Sequence, residues 1–126
     1  MGKELVVDDD PAIREMLYDV LTDEGHRVVM ACDGVEALEV LEREDYFLVL
    51  LDLMMPRLDG PGVIRELEQR PAMRAKNSVV VMSAAERLFA LSSILGSDIV
   101  LDQIAKPFEL DLMLDLVSRL VPQAPH

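Results

Sequence analysis

Cysteine occurs once in 126 residues, at Cys32, so no disulfide can form within the chain and no second thiol stands at metal-ligand spacing. A small, partly buried apolar residue is the simplest role for it. Long hydrophobic runs are missing too: "YFLVLLDLMM" is interrupted by Asp52 and falls short of the ~18 residues of a membrane span. The opening "MGKELVV" has no basic region leading into a long apolar stretch, because Lys3 and Glu4 break it at once. Together these absences predict a cytoplasmic protein with no membrane partner. Bases are scarce as well, 12 against 24 acids, and the net charge of -12 opposes autonomous binding to nucleic acid or anionic lipid. Internal repeats and low-complexity segments are absent.

What the chain does have is an alternation of short apolar runs and amphipathic stretches, in a length that suits one domain with one sizeable core. "LVV" at residues 5–7 predicts a strand that stops at "DDDP", where Asp10 can cap a helix and Pro11 can occupy its first turn. In the helix that follows, Ile13, Met16, Leu17, Val20 and Leu21 share one face, and Gly25 is its stop. "HRVVMA" and "GVEALEVLERE" predict a second strand and helix. "YFLVLLD" is apolar at nearly every position, the mark of a central strand covered on both faces. Then come "PGVIRELEQR" as a helix, "SVVVMS" as a strand, "AERLFALSSIL" as a helix, "DIVLDQIA" as a weaker strand, and "FELDLMLDLVSRLV" as a last helix. The pattern predicts an α/β fold, a parallel sheet with helices on both faces. The domain is expected over residues 3–121, with "PQAPH" at 122–126 as a frayed end or a linker.

In such folds ligands bind beyond the carboxyl ends of the strands. The predicted strands end at Asp8 and Asp9, at Asp52, at Ser83 and just before Lys106, which brings five polar groups to one edge. Three neighbouring carboxylates repel one another unless a cation sits among them. With no histidine or second cysteine nearby, hard oxygen donors favour Mg²⁺ or a similar ion. The plainer role for "DDD" is a helix-capping turn, for Lys106 a surface lysine, and for Ser83 a strand-end hydroxyl. A carboxylate beside a divalent ion and an ammonium group can attack phosphorus, with Lys106 and the Ser83 hydroxyl on the phosphoryl oxygens. After Asp52, Pro56 stiffens the loop, Gly60 is expected to supply backbone freedom, and Met54 and Met55 are expected to fill packing gaps.

These segments, "LVVDDDP", "DGVEALEVL", "LLDLMMPRLDG", "VVVMSA" and "AKPFELDLML", resemble in order and spacing the receiver domain of response regulators in two-component signalling. The resemblance implies a flavodoxin-like, doubly wound (βα)5 domain with sheet order 2-1-3-4-5, phosphorylated in the presence of Mg²⁺ or Mn²⁺. It implies Asp52 as phosphoacceptor and Asp9 as direct metal ligand. The same resemblance implies Asp52 as a further metal ligand, with Asp8 supporting the metal through water and the backbone carbonyl of Met54 completing the set. It groups Ser83, Ala84 and Lys106 as the phosphoryl-binding and switch residues, and makes the bond to Pro107 one that is often cis. Implied partners are a histidine kinase or histidine phosphotransfer protein, and a downstream effector or an output domain outside this chain.

The chain departs from the family pattern at Gln103, where an aromatic switch ring usually stands, and at Gly96, ten residues before Lys106. An irregular fourth helix and an atypical output coupling are therefore expected. Two rival readings remain. A phosphohydrolase with an aspartyl-phosphate intermediate commonly has a second acid two residues beyond the nucleophile, where this chain has Met54. A receiver-like module that binds its partner without phosphorylation draws support from Gln103 and the segment from Ser92 to Asp102. On the favoured reading the protein is a signalling phosphoacceptor rather than a turnover enzyme.

Overall fold

Leu48–Asp52 is buried at every position, as a strand with two apolar faces must be. In the computed structural model, which describes residues 3–43, 48–72, 77–90 and 98–120, this strand is the middle of a five-stranded parallel sheet. The strands are β1 (Lys3–Val7), β2 (Arg27–Ala31), β3 (Leu48–Asp52), β4 (Ser78–Ala84) and β5 (Val100–Lys106), in the order β2-β1-β3-β4-β5. The helices are α1 (Pro11–Asp23), α2 (Gly34–Arg43), α3 (Gly60–Glu68), α4 (Ala85–Ala90) and α5 (Leu110–Leu120). The expected α/β fold and strand order are both observed.

The two-residue alternation of the strands sorts their side chains between two cores. Leu5, Val7, Val49, Leu51, Val79 and Val81 point to the face covered by α2 and α3, where they meet Ala37, Leu41, Ile64 and Leu67. Val6, Leu48, Leu50, Val80 and Met82 point to the other face, against Leu17 and Leu21 of α1 and Met113, Leu116 and Val117 of α5. A one-residue slip in any strand would exchange these sets, so burial on both faces holds the register.

Helix α1 starts as its sequence predicts: the Asp10 side chain accepts from the Ala12 amide at 2.9 Å, and Pro11 opens the first turn. Gly25 follows with φ 93°, a conformation that glycine adopts without Cβ strain. Helix α3 is capped in the same way by Asp59. Two loop expectations change. Gly60 has no positive φ. It is glycine because a Cβ there would lie 2.6 Å from Leu53 Cα and 2.7 Å from the Asp52 carbonyl oxygen. Met55 packs against the core as expected, whereas Met54 is 48 % exposed and fills no gap. The expected fourth helix is seen over Ala85–Ala90; its remainder, Gly96, and the 122–126 tail lie outside the described residues. No described helix is long and apolar enough to cross a membrane.

Candidate functional site

Parallel strands end together, so the residues that close β1, β3, β4 and β5 share one edge of the sheet. Asp8 follows β1 directly and is fully buried. Its amide donates to the Ala31 carbonyl, its Oδ1 accepts from the Asp10 amide at 2.9 Å, and its carbonyl accepts from Arg14 Nη1 at 2.7 Å. Asp52 closes β3, is 5 % exposed, and takes the Met54 amide on Oδ1 at 3.2 Å. Asp9 is exposed beside them, and Asp8, Asp9 and Asp52 each offer an oxygen within 4.8 Å of the others.

The countercharge comes from the far side of the sheet. Lys106, the last residue of β5, directs its ammonium Nζ to Asp8 Oδ2 at 2.5 Å and Asp52 Oδ2 at 3.5 Å. Burial alone would lower the Lys106 pKa, but the two carboxylates outweigh it and hold the ammonium above its ordinary value. Asp52 carries the opposite imbalance. Burial first, and then the charge of Asp8, push its carboxyl up to about 6 against the pull of Lys106 and the Met54 amide. One ammonium is thus shared by two buried carboxylates, with a third acid at the rim. Three hard oxygen donors around an under-neutralised centre are the donor chemistry of a divalent cation such as Mg²⁺.

The remaining predicted residues surround this centre. Ser83 is buried in β4, paired with Ala105, and Ala84 is paired with Lys106 at the strand end. The Lys106–Pro107 bond is cis. Pro56 lies in the β3–α3 connection and Gly60 opens α3, its amide donating back to the Leu53 carbonyl at 3.1 Å. Gln103 is exposed on β5, paired with Val81, and its amide donates to the Asp102 side chain. Arg14 and the Asp33/Arg57 ion pair, which have no part in the sequence pattern above, also lie beside this edge. Arg14 lies one helical turn past the "DDD" cap, a local signal that was available; Asp33 and Arg57 are far apart in the chain and gave none.

The response regulator receiver domain family matches residues 5–118. A probable transcriptional regulator ycf27 of Porphyridium aerugineum is 40% identical over 97% of this chain and 50% of its own length. The chain spans about half the length of the curated relatives it matches. Among solved structures, the signal receiver domain of a Syntrophus aciditrophicus signal transduction histidine kinase has a TM-score of 0.83 at 29% identity, covering 95% of this chain and 89% of that one. The response regulator TrrA of Thermotoga maritima, in complex with Mg²⁺ and BeF, has a TM-score of 0.79 at 31% identity, covering 96% of this chain and 100% of that one. With the family matched across both cores and the acidic edge, this chain belongs to the response regulator receiver domains, the phosphorylatable switch modules of two-component signalling.

Proposed function

We propose that Asp52 is the phosphoacceptor and that the edge formed by Asp8, Asp9, Asp52, Ser83 and Lys106 carries out the transfer. The observation that carries this is the single ammonium of Lys106 within reach of two buried carboxylates. A carboxylate oxygen of Asp52 attacks the phosphorus of a phosphohistidine. The P–N bond breaks, its electron pair leaves on the imidazole nitrogen, and Asp52 becomes an acyl phosphate. Lys106 neutralises one phosphoryl oxygen, and the Ser83 hydroxyl donates to another, beside Ala84. Asp9, Asp52 and the Met54 carbonyl would hold Mg²⁺ or Mn²⁺, with Asp8 acting through water. That cation supplies charge neutralisation to the transferring group.

On this reading the donor is a histidine kinase or a histidine phosphotransfer protein, and the chain promotes only its own phosphorylation and dephosphorylation. The output is a downstream effector or a domain joined to this one in a longer protein, in keeping with relatives about twice its length. The exposed Gln103 supports a second reading, a module that binds its partner without phosphorylation.

Intact mass after incubation with Mg²⁺ and acetyl phosphate decides between them. A gain of one phosphoryl group in wild type and none in Asp52→Asn is expected. No gain in folded, Mg²⁺-bound wild type would favour the binding module, which Asp52→Ala should leave with unchanged partner affinity.

A further inference from the structure

Arg57 is the one non-glycine residue among those described with a positive φ, 68°. Across it the Leu58 amide donates to the Pro56 carbonyl at 2.8 Å, closing a γ-turn of the positive-φ, strained kind. Crowding of the Cβ makes this backbone unfavourable for any residue but glycine, so something outside the turn must hold it.

The arginine side chain shows what does. Its Nε donates to Asp33 Oδ2 at 2.8 Å, and its Nη2 lies 2.7 Å from the same oxygen in an ion pair. Asp33 is 5 % exposed, and its Oδ1 accepts from the Glu36 amide at the start of α2. Burial alone would raise the Asp33 carboxyl, but the helix amides and the guanidinium hold it below its ordinary value. Next to this pair the Gly34 amide donates to the Leu58 carbonyl at 3.1 Å, so closely that a Cβ on Gly34 would lie 2.2 Å from that oxygen. The β2–α2 and β3–α3 loops are therefore joined at consecutive positions, by a side chain at Arg57 and by backbone at Leu58. Met54, whose amide orients Asp52 Oδ1, is only three residues upstream.

We propose that Arg57 is a positioning residue for the acidic site: its ion pair with Asp33 latches the β3–α3 loop in the strained turn and so presents Met54 and the Asp52 carboxylate to a divalent cation. The inference rests on the assignment of Asp52 and the Met54 carbonyl to metal binding. It adds a residue that touches neither metal nor phosphate and acts through a loop 24 positions away in sequence. A fork-shaped donor suits it, since one carboxylate oxygen is held from two nitrogens at once.

The test uses the whole chain as wild type, Arg57→Gln, Arg57→Lys, Asp33→Asn and the Arg57→Gln/Asp33→Asn double variant. Asparagine at position 33 keeps a helix-capping oxygen and leaves no buried charge unpaired, so this variant stays folded. Calorimetric Mg²⁺ affinity and amide exchange of residues 53–58 in metal-free protein are measured beside the thermal midpoint. Arg57→Gln is expected to weaken Mg²⁺ binding about tenfold and speed exchange in that loop, as loss of an outer-shell partner does. Arg57→Lys should recover only part of the loss, and the double variant should be no worse than the single ones. Wild-type affinity and wild-type exchange in Arg57→Gln, or effects that sum in the double variant, would overturn the latch. If wild type itself binds no Mg²⁺, the metal assignment fails on its own, while loop exchange in the metal-free variants still reads the latch.

Discussion

His26 Nδ1 lies 2.5 Å from Glu4 Oε1, at the end of the sheet opposite the acidic edge. Glu4 is fully buried on β1, and neither of its oxygens accepts a hydrogen bond from the described residues. Burial pushes its carboxyl from 4.5 up to about 7, and burial lowers His26 from 6.5 despite the nearby charge of Glu24. Both directions follow from burial, which disfavours the charged form of the acid and of the imidazole alike.

The Glu4 shift sets a pH dependence. A carboxyl raised in the folded state stabilises the fold fully below its unfolded value of 4.5, and that contribution is lost as pH rises through about 7. His26, lowered when folded, works the other way: its contribution is present above 6.5 and is lost as pH falls. Unfolding free energies from urea melts between pH 5 and 8 should therefore fall more steeply for wild type than for Glu4→Gln, by up to about 3 kcal/mol across the window. Parallel profiles for the two proteins would count against the buried acid.

The acidic edge should cost stability when no cation is present. Asp8 and Asp52 are buried carboxylates sharing the ammonium of Lys106, so Asp52→Asn removes repulsion and keeps an acceptor for the Met54 amide. In chelator, Asp52→Asn should be more stable than wild type by roughly 1–2 kcal/mol. Added Mg²⁺ should close the gap by stabilising wild type selectively. A less stable Asp52→Asn in chelator would mean that Lys106 already neutralises the site.

Gly60 leaves no room for a side chain. The nearest atoms to an added Cβ are backbone, Leu53 Cα and the Asp52 carbonyl oxygen, which cannot rotate away. Gly60→Ala should destabilise by about 1–3 kcal/mol in urea melts and slow phosphorylation, because relief requires moving the end of β3. An unchanged midpoint would show that α3 can shift away without cost.

Gln103 bears on the output. Its position on β5 is exposed and paired with Val81, two residues before the Ala105 that pairs with Ser83. On the proposed role of Ser83 as the switch hydroxyl, a signal leaving it should therefore travel through β4 and β5 backbone without an inward ring. Amide shifts on phosphorylation are expected along Ser78–Ala84, Val100–Lys106 and Leu110–Leu120, and should be similar in wild type and Gln103→Ala. Identical spectra before and after phosphorylation would end this account of coupling.

Strand β3 was legible because burial on both faces needs an apolar residue at every position, and α1 because Asp10 and Pro11 form a local start signal. Strand β5 was harder to read, since an edge strand with exposed Leu101, Asp102 and Gln103 carries no clean alternation. Glu4 reads as a surface residue next to Lys3 until β2 brings His26 against it. A positive φ at Arg57 has no signal in the residue type; it exists because Asp33, on another loop, holds the side chain.

The sequence by itself determined the order of strands and helices, the two-sided core and the acids at the strand ends, because periodicity and helix caps act between residues a few positions apart. Only the tertiary structure decided which charges share Lys106, where the acid of Glu4 is buried and what holds Arg57. Those outcomes depend on distances between strands and loops that no local pattern encodes.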